Sequence, residues 1–174
     1  MKKFIAIGIL AMLVGCSKAN ENQNAAEAAA ETPKATIELK DYGAEPFTVD
    51  IDAVTKQNDN FRTTLWTGKN LQVTLMSIPA GGEVGLEQHN ELDQFLRIEE
   101  GEGNVFMGDS AENLSFEQKV EDDFSIMVPA GKWHNIKNTG NGPLKLYSIY
   151  SPPEHPHGTV HKTKAESDAD EHDH

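Results

Sequence analysis

Short apolar runs separated by turn-forming residues are the feature that most constrains the fold of this 174-residue chain. From Thr36 to Tyr150 the runs are rich in β-branched and aromatic residues, with Gly, Pro, Asn and Asp between them. Many short strands at this spacing predict an all-β sandwich or barrel. About 110–120 residues suffice for one closed antiparallel barrel. Only Asp52–Gln57 indicates a helical turn. The predicted strands are Thr36–Leu39, Phe47–Ile51, Phe61–Trp66, Leu71–Ile78, Phe95–Glu99, Asn104–Met107, Phe116–Val120, Phe124–Val128, Trp133–Ile136 and Leu144–Tyr150.

Composition excludes several classes of function. The chain has 28 acidic and 15 basic residues, a formal net charge of −13 with neutral His. Nucleic acid binding requires clustered Lys and Arg, which the sequence does not contain, so we expect no nucleic acid partner. The single Cys excludes an internal disulfide and any multi-Cys zinc site. The sequence also has no nucleophile elbow, P-loop, His-Glu-x-x-His or dinucleotide motif.

The N-terminus has the pattern of an export signal. Two Lys precede an apolar run over residues 4–14, which is too short for a transmembrane helix. Leu13-Val14-Gly15-Cys16 resembles the lipobox of bacterial lipoproteins. The resemblance implies that residues 1–15 are a signal peptide and that Cys16 carries diacylglycerol and an acyl chain such as palmitate. The mature protein would then be lipid-anchored at the cell membrane, outside the cytoplasm, in the bacterial envelope.

Polar segments flank the predicted barrel, which we place at residues 37–152. Residues 16–36 are polar and Ala/Glu-rich, and we expect a flexible, disordered tether. Residues 153–174 form an acidic tail that contains five of the seven His. We expect this tail to be solvated or disordered. Its imidazoles would then bind metals weakly or have no role, and truncation after Ser151 would leave a metal site in the barrel intact.

Two segments contain residues that can bind metal. The first is Gly81-x5-Glu87-x-His89-x4-Gln94-x6-Gly101, and the second is Pro129-x-Gly131-x2-His134-x3-Asn138. In order and spacing they resemble the two cupin motifs, and residues 40–150 are similar to a single-domain cupin. The resemblance implies a small jelly-roll barrel with a metal site in its mouth. It also implies a homodimer, because cupins commonly pair.

The expected metal ligands are Glu87, His89 and His134. Glu87 and His89 are two residues apart, so on one strand their side chains face the same side. The common cupin pattern has His at both of these positions and Glu at the position of Gln94. Here the acid and one nitrogen ligand have exchanged places, and Gln94 becomes a weak fourth ligand or orients a bound water. Two imidazoles and one carboxylate suit Fe, Mn, Ni or Zn. Alternatively, a metal-free barrel binds a ligand through the same groups.

Two predicted strands offer further residues for the pocket. Arg62 and Thr64 share one face of a strand, and Gln72 and Thr74 share one face of the next. A face that points inward would line the site and contact a small-molecule ligand, and Arg62 would suit an anionic group. A face that points outward would be solvated, and the sequence leaves both alternatives open.

Two functions fit this set of features. The first is a metal-dependent small-molecule enzyme, an oxygenase or isomerase, in which the metal polarises substrate or activates oxygen or water. The second is a non-enzymatic module that binds a sugar, a small acid or a metal at the envelope. The resemblance to cupins does not choose between them, because one fold hosts many activities.

Overall fold

The computed structural model describes residues 36–171, which contain ten strands and two helices. The elements in chain order are α1 (Ile51–Gln57), β1 (Arg62–Thr67), β2 (Gln72–Ile78), β3 (Glu87–Gln88), β4 (Asp93–Glu100), β5 (Glu102–Gly108), β6 (Phe116–Glu121), β7 (Ser125–Val128), β8 (Trp133–Asn138), β9 (Leu144–Ser151), β10 (Val160–His161) and α2 (Lys164–Glu171). The predicted signal peptide, Cys16 and most of the tether lie outside the described residues. Neither α1 nor α2 has the length and apolar character needed to cross a bilayer.

Two antiparallel sheets form the body of the protein. One has six strands in the order β10-β1-β2-β9-β4-β7, and the other has four in the order β3-β8-β5-β6. Non-consecutive strands are neighbours in both sheets, as expected for a jelly roll rather than a series of hairpins. The prediction of a mostly β fold from short strands is therefore confirmed.

The main core lies between the two sheets. Alternating residues along each strand supply it, because successive side chains point to opposite faces. Each fully buried aliphatic side chain contributes about 1.5–3 kcal/mol through the hydrophobic effect. The cluster consists of Phe61, Met76, Ile78, Val84, Leu96, Ile98, Val105, Val120, Ile126, Val128, Ile136, Leu144 and Leu146.

A second, smaller core covers the outer face of the six-stranded sheet. Leu75 belongs to it, whereas the next residue, Met76, faces the main core. Val54 of α1 packs here, and Asp50 caps this helix by accepting a hydrogen bond from the Ala53 amide at 3.1 Å. The helical turn predicted in this region is confirmed as α1.

The predicted strands Thr36–Leu39 and Phe47–Ile51 are wrong. Both segments run without strand pairing, although their apolar side chains pack in the second core. The Gln57 side chain replaces a strand partner for the first segment, donating to the Ile37 carbonyl at 2.6 Å and accepting from the Ile37 amide at 3.1 Å. Apolar alternation thus reported the buried face correctly but not the backbone pairing.

The prediction of a solvated or disordered C-terminal tail is also wrong for the part that the structure describes. Residues 153–171, here termed the C-terminal segment, contain β10 and α2. β10 pairs with β1, with His161 opposite Arg62, and so covers the edge of the six-stranded sheet. Hydrogen bonds to β1 and to the side chains of Arg62 and Gln72 hold the segment in place, so it is ordered although its composition is polar.

Candidate metal centre

The centre of the site is the pair of strands β3 and β8. Glu87 and His134 lie opposite each other in this antiparallel pair. His89 follows the end of β3, and its carbonyl accepts a hydrogen bond from the Gly131 amide at 2.7 Å. Gln88 donates to the Gly131 carbonyl at 2.8 Å. Gly131 has a positive φ of 78°, which favours glycine, so this turn helps to hold β3 against β8.

Three potential ligand groups converge here, as expected from their spacing in the sequence. One ligand atom from each of Glu87, His89 and His134 lies within 4.8 Å of the other two. The Glu87 Oε1 atom is 3.1 Å from Nε2 of His134 and 3.4 Å from Nε2 of His89. Glu87 and His89 are half-buried, and His134 is buried. This set is compatible with a divalent metal ion.

The second nitrogen of each imidazole faces an oxygen. Nδ1 of His134 is 3.1 Å from the Lys132 carbonyl, and Nδ1 of His89 is 3.2 Å from Oε1 of Glu154. A proton on each Nδ1 atom leaves Nε2 with a lone pair for a metal. Nε2 of His89 is buried and has no hydrogen-bond partner among the described residues. The donor set therefore fits Fe, Mn, Ni or Zn.

Glu87 and His89 shift each other's pKa values. Burial raises the pKa of the Glu87 carboxyl, but the hydrogen bond with His134 and the close ion-pair contact with His89 outweigh it and hold this pKa well below its usual range. Burial lowers the pKa of His89, but contacts with Glu154 and Glu87 outweigh it and raise the pKa to about 9. Without a metal, the carboxylate is therefore ionised and His89 carries the proton that a cation would displace.

Gln94 occupies a buried position on β4. Its Nε2 atom donates a hydrogen bond to Oγ of Ser148 at 3.0 Å, which fixes the amide. Its Oε1 atom is buried and has no hydrogen-bond partner among the described residues. This oxygen can accept a hydrogen bond from a water molecule or contact a cation. Its role as a fourth metal ligand stays a prediction.

A cavity of about 470 Å³ is lined by Glu87 and His89, two of the three candidate ligand residues. Arg62, which the sequence suggests for an anionic ligand, lines this cavity, whereas Gln72 and Thr74 do not. Thr74 is buried, and Gln72 contacts the C-terminal segment instead. The lining consists of Arg62, Glu87, Gln88, His89, Glu154, His155, Pro156, His161 and Asp170.

Five of these lining residues belong to the C-terminal segment, and sequence reasoning missed them. The ring of His155 contacts the ring of Tyr150 edge-on, with centroids 5.2 Å apart, and Tyr150 contacts His89 in the same manner at 5.7 Å. Burial and then the nearby Arg62 charge lower the pKa of His155 to about 3, so its imidazole is neutral. No local signal in a polar, His-rich stretch indicates such a location.

Comparisons with known proteins agree with this architecture. The sequence family described as Cupin domain matches residues 74–150. Together with the two facing sheets and the cluster of Glu87, His89 and His134, this match defines the class: the chain belongs to the cupin superfamily.

Individual relatives extend the similarity beyond the matched region. A Bacillus subtilis (strain 168) relative, described as the uncharacterized protein YrkC, is 62% identical over 133 residues, covering 76% of this chain and 72% of the relative. The uncharacterized protein L612 of Acanthamoeba polyphaga mimivirus is 33% identical over 122 residues, covering 70% and 74%. The crystal structure of BH2720 from Bacillus halodurans is 61% identical, with a TM-score of 0.74 over 75% of this chain and 98% of that chain.

Proposed function

We propose that this protein is a metal-dependent cupin that binds a divalent cation through Glu87, His89 and His134 and acts on a small molecule in the adjoining cavity. The convergence of these three ligand groups within 4.8 Å carries the proposal. The buried Nε2 atom of His89 supports it, because this atom lies 3.4 Å from Oε1 of Glu87 but makes no hydrogen bond with the described residues. A buried imidazole nitrogen without a hydrogen bond is costly unless it has a further ligand.

Three protein ligands leave coordination positions open for a small molecule or water. When bound, the cation would supply Lewis acidity to a coordinating oxygen. The protein supplies the surroundings: Glu87 provides a carboxylate held in its ionised form, and Arg62 provides a buried guanidinium in the cavity wall. A guanidinium favours ligands with a carboxylate or another anionic group. The cavity lining also carries the carboxylates of Glu87, Glu154 and Asp170, so we propose a small polar molecule, either an acid or a sugar, as the ligand.

A non-enzymatic binding module is the second candidate, and Gln94 favours it. The amide replaces the carboxylate of the common cupin pattern and is engaged with Ser148. A neutral amide binds a metal ion more weakly than a carboxylate does. A weaker metal site is sufficient for a protein that binds a ligand without converting it. Incubation of the metal-loaded protein with small carboxylic acids and sugars, followed by NMR, separates the two candidates. Conversion that His134→Ala abolishes supports an enzyme, whereas saturable binding without conversion supports the binding module.

We also propose that Cys16 is lipidated and that the domain is anchored in the bacterial envelope. The lipobox at residues 13–16 supports this location. Metabolic labelling with a palmitate analogue tests it in a bacterial host. The wild-type chain should incorporate label and fractionate with membranes, and Cys16→Ser should do neither. Label retained by Cys16→Ser would contradict this anchor.

Metal analysis of protein purified without an affinity tag tests the central proposal. We expect stoichiometric Fe, Mn, Ni or Zn in the wild type, and loss of that metal in His134→Ala. The matched control is His157→Ala, because His157 is exposed and pairs with Asp41 at 3.4 Å, outside the lining of the cavity. A wild-type protein that neither contains metal nor takes it up on dialysis would overturn the proposal.

A further inference from the structure

We propose that the C-terminal segment is part of the metal site, with Glu154 as a positioning residue for His89 and Gln72 as the residue that holds Glu154 in place. This inference rests on the proposed function, since it concerns the same three ligands. It goes further, because it assigns a role to residues beyond the predicted barrel and makes docking of the segment depend on metal binding.

The first observation is the contact between Glu154 and His89. The Glu154 carboxylate lies 3.2 Å from Nδ1 of His89, on the opposite side of the ring from the nitrogen that faces Glu87. A carboxylate at this position keeps the proton on Nδ1, fixes the ring orientation and increases the basicity of Nε2. His134 receives the same support from the nearby Lys132 carbonyl. His89 receives it from a residue far along the chain.

The second observation is how Gln72 binds the backbone next to this carboxylate. Gln72 is fully buried on β2, and its Oε1 atom accepts hydrogen bonds from the amides of Glu154 at 3.3 Å and His155 at 2.9 Å. Its Nε2 atom donates to the His155 carbonyl at 2.8 Å and to Oγ1 of Thr67 at 2.9 Å. One side chain thus satisfies three backbone groups, much as a neighbouring strand would. The backbone that carries Glu154 is therefore held in a defined position.

The third observation is that the rest of the segment docks beside the same cavity. Nη1 of Arg62 donates to Oγ of Ser167 at 2.6 Å, and Ser167 is buried although α2 is highly polar. Nε2 of His161 is 3.0 Å from Oδ2 of Asp170, and both residues line the cavity. The segment is therefore anchored at its start by Gln72 and at its end by Arg62, with the cavity between them.

These contacts link metal binding to the docking of the C-terminal segment. A metal that requires an oriented His89 binds more tightly when Glu154 is in place, and it therefore stabilises the docked segment by the same factor. A carboxylate that orients a metal-binding imidazole in this way typically changes metal affinity by about 10–100-fold. The expectation that truncation after Ser151 leaves the barrel site intact is thus replaced by a specific dependence on the segment.

The test uses the full chain, purified without a tag, with Zn2+ and Co2+ as probes. We expect Glu154→Gln to weaken Zn2+ binding about 10–100-fold in chelator competition and to shift the absorption spectrum of bound Co2+. Glu154→Asp should recover part of the affinity. The matched control is Asp168→Asn, which removes one carboxylate from the same segment, where it pairs with Lys164 at 2.6 Å, and should bind as the wild type does. A merely structural role would leave the Co2+ spectrum unchanged.

Hydrogen exchange provides a second measurement, made on the wild-type protein and on a Gln72 variant. Zn2+ should slow exchange of the amides at residues 154 and 155, and Gln72→Ala should speed it both with and without metal. Unchanged affinity and spectrum in Glu154→Gln, or exchange that does not respond to metal, would overturn this inference alone. Absence of metal binding by the wild type would instead overturn the proposed function.

Discussion

Glu87 and His134 are partners across the antiparallel pair β3–β8, and their side chains meet, with Oε1 of Glu87 3.1 Å from Nε2 of His134. Directly opposed residues in such a pair have adjacent Cβ atoms, so a carboxylate and an imidazole approach each other without any loop movement. This geometry depends on register, because a shift of one residue would turn one of the two side chains to the other face. The metal centre is therefore built on paired strands.

Metal should stabilise the folded protein, because the three ligands converge only in the native state. At a free metal concentration of about 100 times Kd, the expected gain is about 2.7 kcal/mol in the free energy of unfolding. For a domain of this size, that gain corresponds to a rise in Tm of roughly 5–10 °C. Calorimetry with added Zn2+ and with EDTA measures it. His134→Ala is the control and should have the same Tm with Zn2+ and with EDTA. A wild-type protein whose Tm is the same under these two conditions would contradict the prediction.

Two glycines with positive φ should differ in their tolerance of alanine. Gly101 has φ +92°, and a Cβ atom there would lie 2.7 Å from the Pro143 carbonyl oxygen. Gly131 has φ +78°, and a Cβ atom there would meet nothing within 4 Å. Gly131→Ala should therefore cost about 1–2 kcal/mol for the backbone conformation alone. Gly101→Ala should cost clearly more, because a backbone atom must also move.

Urea unfolding of both alanine variants measures this difference. The comparison is internally controlled, since both substitutions add the same methyl group to a left-handed residue. Equal losses in the free energy of unfolding would show that the turn after β4 relaxes freely around the added atom. The m-values should remain those of the wild type, because neither change alters the surface exposed on unfolding.

The half-buried His155 should make the protein sensitive to acid. Its pKa is lowered to about 3 in the folded protein by burial and by Arg62, from a usual value of 6.5. The unfolded chain therefore binds a proton at higher pH than the folded chain does. The contribution of the neutral imidazole to stability is fully present above pH 6.5 and is lost as the pH falls towards 3.

Replacement by Phe isolates this contribution, because His155→Phe keeps an aromatic ring against Tyr150 without a titrating group. The free energy of unfolding of the variant should rise relative to that of the wild type as the pH falls from 6.5 to 4. The slope should be at most about 1.4 kcal/mol per pH unit. Denaturation at several pH values gives this difference, in which the titration of groups remote from His155 cancels. A difference independent of pH would contradict the lowered pKa of His155 in the folded protein.

Local pattern predicted most of the barrel, because strand burial follows a period of two. The apolar runs around Leu75, Leu96 and Leu146 became β2, β4 and β9 of the six-stranded sheet. The same pattern failed at Phe47–Ile51, where the apolar side chains are buried by packing on a sheet rather than by pairing within one. Side-chain periodicity records which face is covered, and it carries no information on which backbone groups find partners.

The residues of the candidate site also fall into those that the sequence indicated and those that only the structure revealed. The resemblance to the two cupin motifs, supported by strand parity, indicated Glu87, His89 and His134 as candidate ligands, and the structure brings them together. Nothing local linked Gln72 to Glu154, which are far apart in the chain and meet only because the segment after β9 turns back over the cavity. Hydrogen bonds between polar residues leave no apolar period, so the sequence offered no signal for them.

The amino-acid sequence by itself determined the class of fold, because apolar alternation is a local property of a strand. Its resemblance to the two cupin motifs also indicated the three candidate ligands. The tertiary structure alone decided that the acidic, His-containing end of the chain is part of the cavity. That outcome depends on an open edge at β1 and on a buried amide at Gln72, both of which exist only after the sheet has formed. Polar contacts over a long sequence separation are specified by the assembled fold.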